Sequence, residues 1–167
     1  MKHILMTLTC ALLCGACMGT EPQPAAQAGT VAAALQSPEA VYITEARPDT
    51  SARFYIYLCS ASWCAPCRAI MPKVVEQYPA IKQAGGELIL LCFDSTPEGG
   101  RKYVSKYNAK FPTMMHSSWA VSKTGLPGYK APRGIPHAVF VAKDGKVLHA
   151  GHGASILGWQ ESAAKLK

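Results

Sequence analysis

Ser60-Ala61-Ser62-Trp63-Cys64-Ala65-Pro66-Cys67-Arg68 is the stretch on which the reading of this chain turns. An apolar run from Phe54 to Leu58 leads into it, and a segment with helical character follows. Two cysteines three apart at a strand-to-helix junction are a redox signature. The first falls at the helix start, where unpaired backbone N–H groups and the positive end of the dipole favour a thiolate. The second lies one turn later on the same face, near enough to close a disulfide. Cys64 is therefore the expected attacking sulfur and Cys67 the expected resolving one. Pro66 suits the first turn, because its missing N–H would have no intrahelical partner there. A zinc site would need further ligands at matching spacing, and beyond the N-terminal apolar run, which holds Cys14 and Cys17, no second cysteine pair of this kind exists. An inert structural disulfide fits less well, since bridges over such short loops are usually reducible.

Trp63-Cys64-Ala65-Pro66-Cys67-Arg68, with Pro72 five residues beyond Cys67, resembles the active-site helix of the thioredoxin family. A second stretch, Arg133-Gly134-Ile135-Pro136 followed by His137 to Val141 and the turn Lys143-Asp144-Gly145, resembles that family's cis-proline loop, strand and hairpin. Gly153 fits the glycine beyond the next strand, and the likeness covers roughly residues 40–167. The exported, TlpA-like branch fits better than the cytosolic one. The resemblance implies an α/β thioredoxin fold: a central mixed β-sheet flanked by helices, with an insert over 97–132 before the cis-proline strand. It implies thiol–disulfide exchange with protein substrates and an upstream redox partner, in the reductive direction, with no cofactor and no metal. Trp63, Ile135 and a cis Pro136 would hold the client chain, Ile135 by pairing its backbone with an extended segment.

Several residues depart from the family pattern. His137 stands where thioredoxins usually carry threonine, and a histidine there is a candidate for tuning thiol ionisation. The family's buried aspartate and neighbouring lysine are replaced by Leu58 and Leu90, which removes the usual proton acceptor for Cys67. A peroxiredoxin reading is weakened by Ala61, where that family has threonine. The alternative from another class is a metal or haem-delivery protein that uses the cysteine pair as ligands. Met114, Met115 and His116 are soft candidates for copper, but core methionines are commoner. Cys59 and Cys92, near the ends of adjacent strands, are either buried thiols or a second disulfide.

Working outward, Met1-Lys2-His3 and the apolar run Ile4 to Met18 read as a signal segment, too short to span a bilayer comfortably. Gly15-Ala16-Cys17 resembles the end of a bacterial lipobox, which makes Cys17 the expected lipidated residue after a signal over 1–17. Ala26-Gln27-Ala28 offers ordinary cleavage instead. Residues 18–39, rich in Pro, Ala and Gln, read as a tether, with Val31 to Leu35 briefly helical. The expected location is the bacterial periplasm, with membrane attachment only through the lipid.

A length of 167 residues allows one domain over 40–167 beside these extras, with strands at Val41 to Ile43, Arg53 to Cys59 and Leu88 to Phe93. The net charge of +7 comes without a basic run or aromatic repeat, so nucleic acid is not an expected partner. Yet 97–132 carries Arg101, Lys102, Lys106, Lys110, Lys123 and Lys130 against Glu98 alone, alongside Phe111, Trp119 and Tyr129. Two readings stand for it: a solvated helix face over a satellite core, or a docking surface for an acidic protein.

Overall fold

The computed structural model describes residues 30–118, Val121 and 125–166; the expected signal segment, Cys17, Trp119 and Lys123 lie outside them. Alternation along the central strands explains the architecture. Strand β1 (Phe54–Ser60) is buried along its whole length, as is β2 (Gly86–Cys92), so both faces of the sheet must be covered. Helix α2 (Ala65–Gln83) links them, giving a parallel β1–β2 pair with Leu58 opposite Leu90. Helix α3 (Pro97–Lys106) leads on to β3 (Thr113–Met115), parallel to β2 at the sheet edge. On the other side β4 (His137–Ala142) and β5 (Val147–His152) form an antiparallel hairpin, and β4 pairs with β1. The sheet order is β3-β2-β1-β4-β5, the mixed sheet of a thioredoxin-like fold. Within the span expected as an insert, α3 and β3 take their places in the layered sheet-and-helix arrangement.

The two faces hold separate cores. Phe54, Ile56, Leu58, Leu88, Leu90 and Phe140 pack against Met71, Val74 and Ile81 of α2, with Tyr103 and Val104 of α3. Tyr55, Tyr57, Ile89, Leu91, Val139 and Val141 face the opposite way, against Met114, Val121 and Leu126. Buried tyrosines there keep their hydroxyls satisfied: Tyr55 donates to the Thr50 carbonyl at 3.0 Å and Tyr57 to that of Pro127 at 3.2 Å.

This second face also corrects the reading of residues 30–39 as tether. Val31–Gln36 forms helix α1, capped by the Thr30 hydroxyl, which accepts from Ala33 N–H at 3.2 Å. Val31 and Leu35 are 0% and 2% exposed in the second core, and burying two such side chains contributes roughly 1.5–3 kcal/mol each. Tyr42 clamps α1 by donating to the Leu35 carbonyl at 2.8 Å. Helix α1 therefore packs as part of the domain, because a short Ala-rich stretch still offers two apolar residues at i and i+4.

Other boundaries moved for local reasons. The strand expected at Val41 to Ile43 is a single bridge, Tyr42 to Met114. The edge strand starts at Thr113 because Pro112 has no N–H for the ladder, although its carbonyl accepts from Leu90 N–H at 2.9 Å. The C-terminal stretch is a 3-10 helix (Gly153–Gly158) followed by the short α4 (Trp159–Ala163). The hairpin turns at Gly145, whose φ of +85° is the left-handed conformation that Asp-Gly predicts. No helix among the described residues is long and apolar enough to cross a membrane.

Candidate active site

Chain leaving the carboxyl end of β1 makes one tight turn, in which Cys64 N–H donates to the Ala61 carbonyl at 3.3 Å, and enters α2. Cys64 itself is the helix N-cap. Its Sγ accepts from Cys67 N–H at 3.2 Å, so an orphan donor of the first turn points at the sulfur. Pro66 occupies the first turn and Pro72 and Pro79 lie within the helix. Cys64 and Cys67 are joined as a disulfide, Cα atoms 5.2 Å apart. Cys67 is fully sealed at 0% exposure, while Cys64 keeps a small opening at 6%.

Across from the helix tip, the Ile135–Pro136 peptide bond is cis, the geometry that the resemblance implies. The Ile135 carbonyl oxygen lies 3.6 Å from Cys64 Sγ, and Ile135 and Phe93 pack against the two cysteines and Ala61. Trp63 stands out at 64% exposure, its indole N–H donating to the Phe93 carbonyl at 3.4 Å. Cys64, Phe93 and Ile135 thus meet at the helix tip, with Trp63 and Pro136 next to them in the chain. Gly153 closes the back of the proline loop, donating its N–H to the Pro136 carbonyl at 2.9 Å.

His137 follows the proline in β4, paired opposite Cys59 on β1 and His152 on β5. Partial burial and the neighbouring His149 and His152 hold it below the usual histidine range, so its imidazole is neutral at pH 7. Leu58 and Leu90 are fully buried side by side in the first core, which leaves that layer apolar where the family has its acid and its lysine.

Asp94, just past β2, was not among the residues that the sequence singled out. It is 9% exposed, and it accepts from Ser62 N–H at 3.0 Å, from the Ser62 hydroxyl and from the Cys92 thiol at 3.0 Å. The carboxylate clamps the turn that carries Trp63 and Cys64. Its neighbour Phe93 stacks on His116 with ring centroids 3.8 Å apart, and Tyr129 meets His116 edge-on at 6.0 Å. Burial holds His116 below the ordinary histidine range. Met114 and Met115 are core residues, the former in the second face and the latter against Ile43 and Cys92.

Cys59 and Cys92 are free thiols, not a second bridge. Burial pushes both up to about 12, against an opposing hydrogen bond from Tyr129 at Cys59 and with help from Asp94 at Cys92. Among the described residues no group of three or more His, Cys, Asp or Glu is arranged to hold a metal ion.

Fold and site together define a thioredoxin-like protein with a disulfide-forming cysteine pair at a helix tip opposite a cis-proline loop. Residues 43–150 match the AhpC/TSA family, and the chain belongs to that family. It is 34% identical over 89 residues to the thiol-disulfide oxidoreductase ResA of Bacillus thuringiensis subsp. konkukian, an alignment covering 52% of this chain and 47% of that protein. The chain therefore spans about half the length of the curated relatives it matches. Among solved structures, a thiol:disulfide interchange protein of the thioredoxin family from Chlorobium tepidum superposes with a TM-score of 0.57 at 20% identity, over 70% of this chain and 81% of that one. One from Bacteroides sp. gives 0.56 at 18%, over 68% and 74%. At that identity these two establish the fold.

Proposed function

We propose that the protein is a thiol–disulfide oxidoreductase that reduces disulfides in exported proteins. The observation that carries this is the Cys64–Cys67 disulfide at the α2 tip, with Cys67 sealed and Cys64 slightly open, its sulfur 3.6 Å from the Ile135 carbonyl oxygen beside the cis Pro136. The relatives' printed activity, thiol–disulfide exchange, supports the same reading.

In the reduced protein the N–H of Cys67 and the positive end of α2 favour negative charge on Cys64 Sγ. That thiolate attacks one sulfur of the client disulfide, the client S–S bond breaks, and the departing client sulfur carries the electron pair away. The mixed disulfide sits beside Trp63, with the client backbone alongside Ile135 and Pro136. Cys67 then gives up its proton and attacks Cys64 Sγ, which expels the second client sulfur. The client has gained two electrons, with one proton from Cys67 and the second from water, and Cys64–Cys67 is oxidised. Because Leu58 and Leu90 offer no base, the acceptor for the Cys67 proton is a client thiolate released in the reaction itself. His137, neutral at pH 7, stands near the client strand as a tuning group. A dithiol partner upstream must return the two electrons.

Export through the segment 1–17 and a lipid on Cys17 place this chemistry at a membrane surface in the periplasm. The basic α3 region serves to dock an acidic partner.

Insulin reduction with dithiothreitol tests the reading. The wild type should turn over, Cys64→Ser should abolish turnover, and Cys67→Ser should accumulate the mixed disulfide, visible on a non-reducing gel. Stoichiometric metal on the purified protein with no turnover would instead favour a metal or haem-delivery role. For direction, a reduction potential of roughly −230 mV or lower supports a reductase, and one near about −120 mV marks an oxidant.

A further inference from the structure

Beside the cysteine loop lies a cleft of about 250 Å3 lined by Ser62, Arg68, Gly99, Lys102, Tyr103 and Lys106. Three elements build it: the turn before Cys64, the first turns of α2, and α3. Its walls are held in place. Arg68 Nη1 donates to the Ser62 carbonyl at 2.8 Å, and Tyr103 shares a 2.8 Å hydrogen bond with the Ser60 hydroxyl. Tyr107 donates to the Arg68 carbonyl at 3.5 Å, and Lys106 Nζ lies 5.7 Å from the Tyr107 ring centre.

Charge in and around this cleft is one-sided. Arg68, Lys102 and Lys106 converge on it, and Arg101 stands on the adjoining face of α3. Against them is Glu98, which Lys102 and Arg101 share at 3.5 Å each; it is itself 60% exposed, so solvent weakens both pairs. The other acid close by, Asp94, already accepts from Ser62 and Cys92. Cations brought together from two helices around a walled opening favour carboxylates, and Ser62 stands two residues before the attacking sulfur.

We propose that this cleft selects clients: it receives Asp or Glu side chains lying within a few residues of the client's attacked cysteine. This rests on the thiol-exchange reading, and it narrows the basic region to one face. Lys110 and Lys130 of the same region do not line the cleft. A client protein fits better than a lipid surface, because one wall of the cleft is the turn that carries the reactive sulfur.

The experiment uses the full reduced chain and two synthetic peptides, each with one internal disulfide, flanked either by three Glu or by three Gln. The acidic peptide should show about tenfold higher kcat/KM at low ionic strength, falling toward parity at about 0.5 M salt as the charges are screened. In the Lys102→Glu/Lys106→Glu double variant the ratio should drop to one or below, and in Lys102→Gln/Lys106→Gln it should be intermediate. Lys146→Glu, on the distant hairpin, should leave the ratio unchanged. A wild-type ratio near one at low salt overturns the proposal, as does a ratio that survives charge reversal. Salt-sensitive binding to phosphatidylglycerol vesicles, with no peptide preference, would assign the cleft to a membrane and overturn it too. If the wild type reduces neither peptide nor insulin, the exchange reading fails first, a result distinct from insulin turnover with a flat peptide ratio.

Discussion

Gly153→Ala probes the support of the proline loop without touching a sulfur. A Cβ built at Gly153 falls 2.5 Å from Pro136 Cβ and 3.1 Å from both the Pro136 carbonyl carbon and Ile70 Cδ1. Ile70 can turn aside, but the proline ring cannot, because its Cβ is fixed by the ring and the adjoining backbone. Relief therefore needs a shift of roughly 1 Å between the 3-10 helix and the loop, to regain van der Waals separation. That shift also strains the 2.9 Å bond from Gly153 N–H to the Pro136 carbonyl. Overpacking of this kind costs about 1–3 kcal/mol of stability. The larger effect should be on function, since misplacing a reacting group by about 1 Å can lower the rate by on the order of a hundredfold. Urea denaturation gives the first quantity and insulin turnover at saturating dithiothreitol the second. Gly134→Ala is the control: it lies in the same loop, and a Cβ there meets nothing within 4 Å. It should change stability by less than about 0.5 kcal/mol and leave turnover near wild type. If Gly153→Ala were silent, or if both variants behaved alike, the contact between Gly153 and Pro136 would not be what holds the loop against Cys64.

Two further outcomes follow from the titratable groups. Cys59 and Cys92, fully buried and pushed up to about 12, should resist iodoacetamide in the native reduced protein at pH 8 and react only after unfolding. Peptide-resolved mass spectrometry would show label on Cys64 first, and early label on Cys92 would contradict its burial beside Asp94. His137 is held below its unfolded value by burial and then by His149 and His152, so the unfolded chain binds more protons just below pH 6.5. Its contribution to stability is complete above about pH 6.5 and is lost as pH falls through the lowered folded value. Urea midpoints measured down from pH 7 should decline less steeply in His137→Gln, and an unchanged slope would remove His137 as a source of the decline.

What could be read from the sequence was whatever the backbone writes locally. The cysteine pair, the apolar strand before it, Pro66 in the first turn and Asp144-Gly145 in the hairpin each sit within a few residues of their structural consequence. So does Ile135-Pro136, whose loop chemistry travels with the strand that follows it. Asp94 shows where legibility ends. In the sequence it stands beside Thr96 and Pro97, which cap and open α3, and reads as ordinary turn chemistry. Its partner Ser62 is 32 positions away, and no periodicity links the two. Val31 and Leu35 were obscured by the composition around them, since two apolar residues among alanines carry little signal until a sheet face needs covering. The cleft combines both difficulties, because Ser62, Arg68, Lys102 and Lys106 meet only once α2 and α3 pack on the same side of β1 and β2. The reaction, then, depends on devices of the main chain, a helix tip and a proline loop, which leave short signatures. The choice of client depends on surface side chains gathered from separate elements, and these can change without disturbing the chemistry beside them.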